Sequence, residues 1–516
     1  MKGNQVKSAE KKGVLGFIER VGNALPHPAT IFVILSAIII LVSHIMSEMG
    51  VSVTYDALNK ATNQIEPTTV AVKSLLSRDG IVGMLEGALV NFTSFAPLGT
   101  VLVAMLGVGV AEGTGLIGTA LKKLVLSTPK TLITVVVVLA GVISNIASDA
   151  GYVVLIPLGA MVFLSMGRHP IAGLAAAFAG VSGGFSANLM VGPTDALLAG
   201  ISKEAAKIGS ATATVDVADN WFFLIVSTFL IAVVGTLVTE KIVEPRLGEY
   251  KGKSKANKNM EITDVEKRGL KFAGIASIIV AIGLAALTIP KNAILRNPET
   301  GSLIEKAPLM NSIVVIIAIV FLILGVAYGI GTGSIKNDKD VVKEMSKTMS
   351  TMGGYLVLVF FAAQFVSYFA QSNVGTVIAV KGAEFLKASN IGGVPLIIGF
   401  ILVTAFINLF MGSASAKWAI MAPIFIPMLM EIGFAPEFTQ MAYRIGDSST
   451  NIISPLMTYF ALIVSFAEKY DEEAGIGTLV STMVPYSIAF LLSWSVLLII
   501  WMIFKFPLGP GATIFI

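Results

Sequence analysis

Two stretches of this chain repeat one another across its midpoint, and in each an apolar run is interrupted by small and hydroxylated residues. An aromatic residue and two prolines recur at one offset, since 418−152 = 423−157 = 436−170 = 266. A second pair of blocks follows at a similar offset, Gly183-Gly184-Phe185-Ser186-Ala187-Asn188 and Gly446-Asp447-Ser448-Ser449-Thr450-Asn451. Repeated, interrupted apolar segments are typical of membrane proteins whose broken helices surround a binding site.

The composition places the chain in a membrane. Of its 516 residues, 55% are hydrophobic and 13% charged, with a mean hydropathy of +0.83. A net charge of +4 without a basic face interleaved with aromatics excludes nucleic acid as a partner. No cysteine is present, so no disulfide or thiolate metal site is possible. The first apolar run lacks a small-residue cleavage site, and we expect an internal anchor rather than a signal peptide.

The distribution of lysine and arginine predicts the topology. We expect an amphipathic N-terminal segment on the cytoplasmic surface, and basic segments at 244–271 and 336–347 on that same side of a cell inner membrane. The longer, less basic loop 50–93 is expected outside. Continuous spans are predicted near residues 28–49, 94–115, 220–241, 270–289, 308–332, 352–373 and 478–504.

The basic segments can all lie on one side of the membrane only if two stretches enter the membrane and return to the side from which they came. We predict re-entrant hairpins at 131–168 and 393–432, followed by broken helices at 170–200 and 436–460. The fold class is therefore an all-α polytopic membrane protein with nine transmembrane helices, two re-entrant hairpins and inverted-topology repeats. The predicted divisions are a cytoplasmic N-terminus 1–27, a first half 28–245, a cytoplasmic linker 246–269 and a second half 270–516.

The hairpin tips and helix breaks are predicted to bind a cation. Glycines there would break the helices and expose carbonyls, which suit a hard monovalent cation together with serine and asparagine oxygens. The alternative is that these small residues only permit close helix packing. The candidate cation ligands are Ser148, Asp149, Ser186, Asn188, Ser413, Ser415, Ser449 and Asn451.

Ionisable residues within apolar runs need a partner or a purpose. Arg444 and Asp447 are three residues apart on one helix face, so a structural ion pair is the alternative to a substrate role. Lys417 either reaches water or contributes a second positive charge to the substrate site. Trp418 is either an interfacial residue or a platform facing a cavity, and its match with Tyr152 favours the platform.

Two other functions remain open from the residues alone. An intramembrane aspartyl enzyme would use Asp195 and Asp447, but Arg444 stands where the GxGD signature needs glycine. A passive channel would leave the paired hairpins unexplained. No metalloprotease or phosphate-binding loop motif occurs, so we expect no cofactor, no metal beyond a possible Na⁺, and Na⁺ or H⁺ as coupling ion.

Several blocks resemble the AbgT family of p-aminobenzoyl-glutamate transporters. These blocks are Pro26-His27-Pro28, Phe95-Ala96-Pro97-Leu98-Gly99, Ser148-Asp149-Ala150, 167–174, Pro193-Thr194-Asp195, 412–418 and 443–448. The resemblance covers essentially the whole chain. It implies a homodimer with nine transmembrane helices and two hairpins per subunit, and functional positions at Asp195, Trp418, Pro436, Arg444, Asp447 and Pro455.

The predicted function is cation-coupled secondary transport of p-aminobenzoyl-glutamate or a related aromatic carboxylate. In this hypothesis Arg444 binds a carboxylate, Lys417 adds a charge, and Trp418 contacts the aromatic ring. Asp195 and Asp447 take a proton or contact the aryl amine. Proton-driven export of sulfonamide antimetabolites is the alternative that the resemblance implies, because the family includes both activities.

Overall fold

The computed structural model describes residues 26, 28–59, 64–147, 151–252, 262–303, 307–389, 392–455, 457, 459–472 and 474–516. The amphipathic N-terminal segment and residues 253–261 of the linker 246–269 therefore lie outside the described residues. Seven described helices are long and apolar enough to cross a membrane: Ala29–Glu48, Arg78–Gly113, Trp221–Leu247, Asp264–Thr288, Ile313–Thr332, Gly353–Gln371 and Ile476–Phe504. Leu116–Leu126 and Lys130–Ser144, bent by 115°, form an eighth if they are one span. The nine-helix count stays a prediction.

The segment 50–93, predicted as a loop on the outer side, contains two strands and a helix, so the described fold is not purely α-helical. Strands Ser52–Asn59 and Gln64–Ala71 pair antiparallel, with Ser52 opposite Ala71 and Asn59 opposite Gln64. A helix, Arg78–Thr93, follows, and the Ser77 side chain caps it by accepting a hydrogen bond from the Gly80 N–H. The prediction missed this helix because its polar first turn hides its apolar periodicity. This helix and the next one, Ala96–Gly113, together make up the stretch Arg78–Gly113 that is counted above as one span.

Both halves contain a hairpin followed by a broken helix. We call Ile133–Ser144 with Gly151–Ser165 the first hairpin and Gly393–Asn408 with Ala414–Met430 the second. The first broken helix comprises Pro170–Gly183 and Pro193–Gly209, and the second comprises Pro436–Asn451 and Phe460–Glu468. In each half, the helix that follows a hairpin packs against both of its arms. The sequence repeat is thus a structural repeat.

Prolines fix where these helices begin. Pro170, Pro193 and Pro436 each stand in the first turn of a helix, where an N–H would have no intrahelical partner. Shorter helices complete the described architecture: Pro308–Asn311, Asp338–Thr351, Val374–Ala388, Glu244–Leu247 and a π-helical turn at Thr239–Val243.

The predicted break at Gly446 is wrong. The helix Pro436–Asn451 runs through that glycine without interruption and ends at Asn451, so the break falls at 452–459. A Cβ on Gly446 would lie 2.5 Å from the Ile401 carbonyl oxygen, so the glycine permits close packing on the second hairpin. In the first half the break falls at 184–192, directly after Gly183 as predicted.

The basic segments meet at one end of the molecule. Lys122 Nζ lies 3.4 Å from Glu266 Oε2, and Arg168 Nε donates to Glu244 Oε1 over 2.9 Å. Because residues 122 and 168 bracket the first hairpin, that segment starts and ends at the same face, as a re-entrant segment must. The Arg268 guanidinium also donates to the Gly331 carbonyl, which brings the start of the segment 336–347 to this end.

Candidate functional site

The helix that follows the first break presents Asp195 at its start. The Gly192 N–H donates to Asp195 Oδ2 over 2.7 Å, which satisfies a donor that the helix itself cannot bond. The other carboxylate oxygen, Oδ1, remains available to the second half of the chain. Asp195 is 4% exposed, so a negative charge there requires a nearby positive one.

That positive charge is Arg444. Its Nη2 lies 2.6 Å from Asp195 Oδ1, with both side chains buried. The two atoms are close, but the N–H is not aligned for a hydrogen bond, and Arg444 Nε and Nη1 have no hydrogen-bond partner. The alternative of a structural ion pair between Arg444 and Asp447 is therefore wrong, since the carboxylate beside Arg444 comes from the other half of the chain.

Asp447 pairs with Lys417. Nζ of Lys417 donates to Asp447 Oδ1 over 2.6 Å and also to the side-chain oxygen of Asn408. The Asn408 amide nitrogen donates to the Asp447 carbonyl at 2.8 Å and to Asn451 Oδ1 at 2.9 Å. Lys417 has no exposed surface, so the alternative in which it reaches water is wrong. Its ammonium is held inside the protein by oxygens.

Trp418 is fully enclosed between the two halves. Its ring stacks on Tyr443 with centroids 4.3 Å apart, and its indole N–H donates to Ser202 Oγ over 2.9 Å. The Ser202 hydroxyl also bonds Gln440 Oε1 at 2.8 Å. Trp418 therefore joins the second hairpin to both broken helices, while its contact with substrate stays a prediction.

The predicted cation ligands separate into different environments. Ser148 and Asp149 lie outside the described residues. Ser186 is fully buried and its hydroxyl has no hydrogen-bond partner. The others are already engaged: Asn188 Oδ1 accepts from the Leu189 N–H, Ser413 caps the helix Ala414–Met430 and contacts Ser415 at 3.4 Å, Ser449 donates to the Ile445 carbonyl, and Asn451 accepts from Asn408.

The two remaining predicted positions lie at chain turns. Pro436 is buried in the first turn of its helix and lines a cavity of 500 Å³ together with Glu437. Pro455 is half-buried in the break after Asn451. Neither contributes a donor, and each limits the backbone where a helix begins or ends.

Sequence reasoning missed Asn145, Ser182, Ser202 and Asn408. Asn145 Oδ1 and Ser182 Oγ are buried without a hydrogen-bond partner, as is Ser186 Oγ nearby in the chain. A signal for the two asparagines was present. They are separated by 408−145 = 263 residues, the same offset that relates Asn188 to Asn451.

A cavity of 520 Å³ approaches the site from the basic end. Its lining includes Pro193 and Thr194, which directly precede Asp195, and three charged residues, Glu112, Glu344 and Lys347. A void of only 10 Å³ continues past Leu197 and Tyr355 toward Ser415 and Ala416 of the second hairpin. The cavity therefore ends close to the layer of buried charges.

Paired hairpins and broken helices that surround buried, neutralised charges beneath an open cavity define a polytopic membrane transporter. The chain belongs to the AbgT putative transporter family, whose model matches residues 13–516. It is 39% identical over 509 residues to the p-aminobenzoyl-glutamate transport protein of Escherichia coli (strain K12), and the match covers 98% of each chain.

Two solved structures share this fold. The YdaH transporter of Alcanivorax borkumensis, described as having an unusual topology, is 47% identical with a TM-score of 0.88, covering 94% of this chain and 100% of that one. MtrF of Neisseria gonorrhoeae, described as illuminating a class of antimetabolite efflux pumps, is 50% identical with a TM-score of 0.91, covering 97% and 100%. The family and its relatives are transporters, so the aspartyl-enzyme hypothesis is wrong.

Proposed function

We propose that this protein is a cation-coupled secondary transporter of p-aminobenzoyl-glutamate or a related aromatic carboxylate. The observation that carries the proposal is Arg444. Its guanidinium is buried and contacts Asp195 through Nη2 alone, while Nε and Nη1 have no partner. A buried charged donor left unbonded costs free energy, and a substrate carboxylate would satisfy it with charge-assisted hydrogen bonds.

The cavity supports an approach from the basic end of the molecule. Its 520 Å³ lies within the roughly 300–1,000 Å³ typical of small-molecule sites. If the basic end faces the cytoplasm, as the positive-inside rule predicts, the cavity opens inward. Leu197 and Tyr355 line both this cavity and the small void beyond it, so they would separate the cavity from the second hairpin. Movement of the hairpins relative to these residues would open the route.

Unbonded oxygens near the first helix break support cation coupling. Asn145 Oδ1, Ser182 Oγ and Ser186 Oγ are buried and have no hydrogen-bond partner. Oxygens of this kind, with carbonyls at a broken helix, suit Na⁺. The proposed ligands therefore keep Ser186 from the sequence prediction and add Asn145 and Ser182. Homodimer formation remains part of the proposal on the strength of the family resemblance, and a cytoplasmic N-terminus in the inner membrane remains part of it on the distribution of lysine and arginine.

The test is uptake of labelled p-aminobenzoyl-glutamate into proteoliposomes with a Na⁺ or an H⁺ gradient imposed one at a time. We expect a saturable flux driven by one of the two gradients. Arg444→Lys should abolish most of this flux although charge is retained, because an ammonium cannot form the bidentate contact. Lys123→Arg, at an exposed position, is the matched control and should transport like the parent. Gradient-independent flux, or full activity of Arg444→Lys, would overturn the proposal.

Export of antimetabolites is the second candidate, supported by the 50% identity to MtrF. The same proteoliposomes, loaded with a labelled sulfonamide and exposed to an opposing H⁺ gradient, measure it directly. Sulfonamide efflux without p-aminobenzoyl-glutamate uptake would favour this candidate.

A further inference from the structure

The two halves hold an asparagine in the same structural relation. Asn145 Nδ2 donates to the Gly184 carbonyl over 3.3 Å, and Asn408 Nδ2 donates to the Asp447 carbonyl over 2.8 Å. Both separations are equal, since 408−145 = 447−184 = 263. Each asparagine stands at the end of the first arm of its hairpin. Asn408 bonds the helix that follows its hairpin, and Asn145 bonds the residue that directly follows the end of the corresponding helix. Asn145 therefore corresponds to Asn408, and Gly184 corresponds to Asp447.

The halves differ in what this asparagine's oxygen binds. In the second half, Asn408 Oδ1 accepts from the Lys417 ammonium, which also pairs with Asp447 at 2.6 Å. The repeat offset of 266 places Gly151 opposite Lys417, so the first half has neither side chain of the ion pair. Asn145 Oδ1 is correspondingly left without a hydrogen-bond partner.

At the two corresponding positions the first half has no room for the side chains of this ion pair. A Cβ on Gly151 would lie 2.1 Å from Ser144 Oγ, and a Cβ on Gly184 would lie 2.5 Å from the Gly180 carbonyl oxygen. The Tyr443 ring adds to the cation environment in the second half, with its centroid 5.7 Å from Lys417 Nζ. One half thus surrounds a built-in cation with a carboxylate, an amide oxygen and an aromatic face. The other presents only oxygens.

We propose that the Lys417 ammonium is a tethered cation, which occupies in the second half the position that a diffusible monovalent cation occupies in the first. This inference rests on the proposed cation coupling for the first half. In this inference, Lys417 has a role other than binding the substrate carboxylate. Of the two corresponding sites, at Asn145 and at Asn408, only the first would bind a diffusible cation. The pair of Lys417 and Asp447 is neutral as a unit, which lowers the cost of burying both charges among apolar helices.

The test replaces the tethered cation with a free one. Lys417→Ala leaves the Asp447 carboxylate, the Asn408 oxygen and an emptied volume. The thermal unfolding midpoint of the purified variant in detergent is measured while choline chloride is exchanged for NaCl or methylammonium chloride at constant ionic strength, which holds screening fixed. We expect the variant to unfold at lower temperature in choline and to recover most of the loss in Na⁺ or methylammonium.

Two controls make the outcome decisive. Lys417→Ala with Asp447→Ala removes the anionic partner and should fold and respond to each cation no more than the parent does, and Lys123→Ala should behave like the parent. If Lys417→Ala folds only when purified with methylammonium, the proposal is supported. If neither cation restores it while the double variant is stable, or if both variants fail alike in every salt, the proposal is overturned.

The same titration separates this inference from the proposed function. The response of the parent protein to Na⁺ reports the first-half site, which Lys417→Ala does not alter. A parent that ignores Na⁺, together with a Lys417→Ala variant that responds, would overturn Na⁺ binding in the first half and the equivalence of the two halves, and would retain only the cation site that Lys417 fills in the second half. The reverse result would retain the coupling and assign Lys417 to another role.

Discussion

Removing Asp195 is expected to cost more stability than removing both members of its ion pair with Arg444. At the observed separation of 2.6 Å, an effective dielectric constant of about 20 gives an attraction of about 6 kcal/mol. Desolvation offsets part of this, and stranding one member of a buried pair typically costs roughly 3–5 kcal/mol. Asp195→Leu should therefore destabilise the protein by an amount in that range, since Arg444 would retain no charged partner.

The double variant Asp195→Leu with Arg444→Met removes both charges and should recover most of this loss. Unfolding free energies in detergent complete the double-mutant cycle, with an expected coupling on the order of 2–3 kcal/mol. The matched control is Arg444→Met with Asp447→Leu. It breaks two ion pairs and strands Asp195 and Lys417, so it should be less stable than either single variant.

The opposite ranking would refute the reasoning. If Arg444→Met is rescued by Asp447→Leu but not by Asp195→Leu, the arginine pairs within its own helix. Transport should be lost in all of these variants, because each removes the arginine or Asp195, the carboxylate with which it pairs.

Three further predictions concern the buried Trp418, the carboxyl group of Asp219 and three exposed charged residues. Trp418→Phe should keep ring stacking but lose one hydrogen bond, costing about 1 kcal/mol, whereas Trp418→Ala should cost roughly 3–5 kcal/mol in unfolding free energy. Equal stability of both variants would contradict the enclosed position. Burial raises the pKa of Asp219, in the loop before the helix Trp221–Val238, from 3.8 to about 8. The folded protein then binds this proton across that interval, so stability should fall as pH rises through it. Asp219→Asn should flatten this part of the profile of unfolding midpoint against pH. Finally, Lys123→Cys and Lys251→Cys should react with an impermeant thiol reagent from one side of the membrane, and Asp79→Cys from the other, with no background because the parent has no cysteine. Labelling of 123 and 251 from opposite sides would rule out the re-entrant first hairpin.

Much of the architecture is readable along the chain because it follows from local hydrophobicity and turn chemistry. Long apolar runs predict most of the spans, and prolines mark the starts of both broken helices. The repeated Gly, Ser and Asn blocks predict two related halves. The helix Arg78–Thr93 and the strand pair before it were missed, since their mixed composition gives neither a span nor a clear alternation.

The site was predicted as a set of residues and not as a set of contacts. Arg444 and Asp447 lie on one helix at a spacing that suggests a pair, yet each points to a different neighbour. The carboxylate beside Arg444 is Asp195, 249 residues earlier, and no local pattern encodes a contact at that separation (444−195 = 249). Gly446 shows the same limit. A glycine that breaks a helix and one that lets two helices approach look alike in sequence.

The sequence by itself determined that this protein lies in a membrane, that it consists of two repeats, and which charged residues are buried in apolar surroundings. These properties depend on composition and short-range periodicity, which can be read in each segment without knowing what that segment contacts in the folded protein. Only the tertiary structure decided which charge neutralises which, that Trp418 is enclosed, and that one half contains an ammonium where the other presents unbonded oxygens. Those outcomes depend on how the two halves pack together, because a buried charge is stabilised by whichever opposite charge the fold brings within a few ångströms.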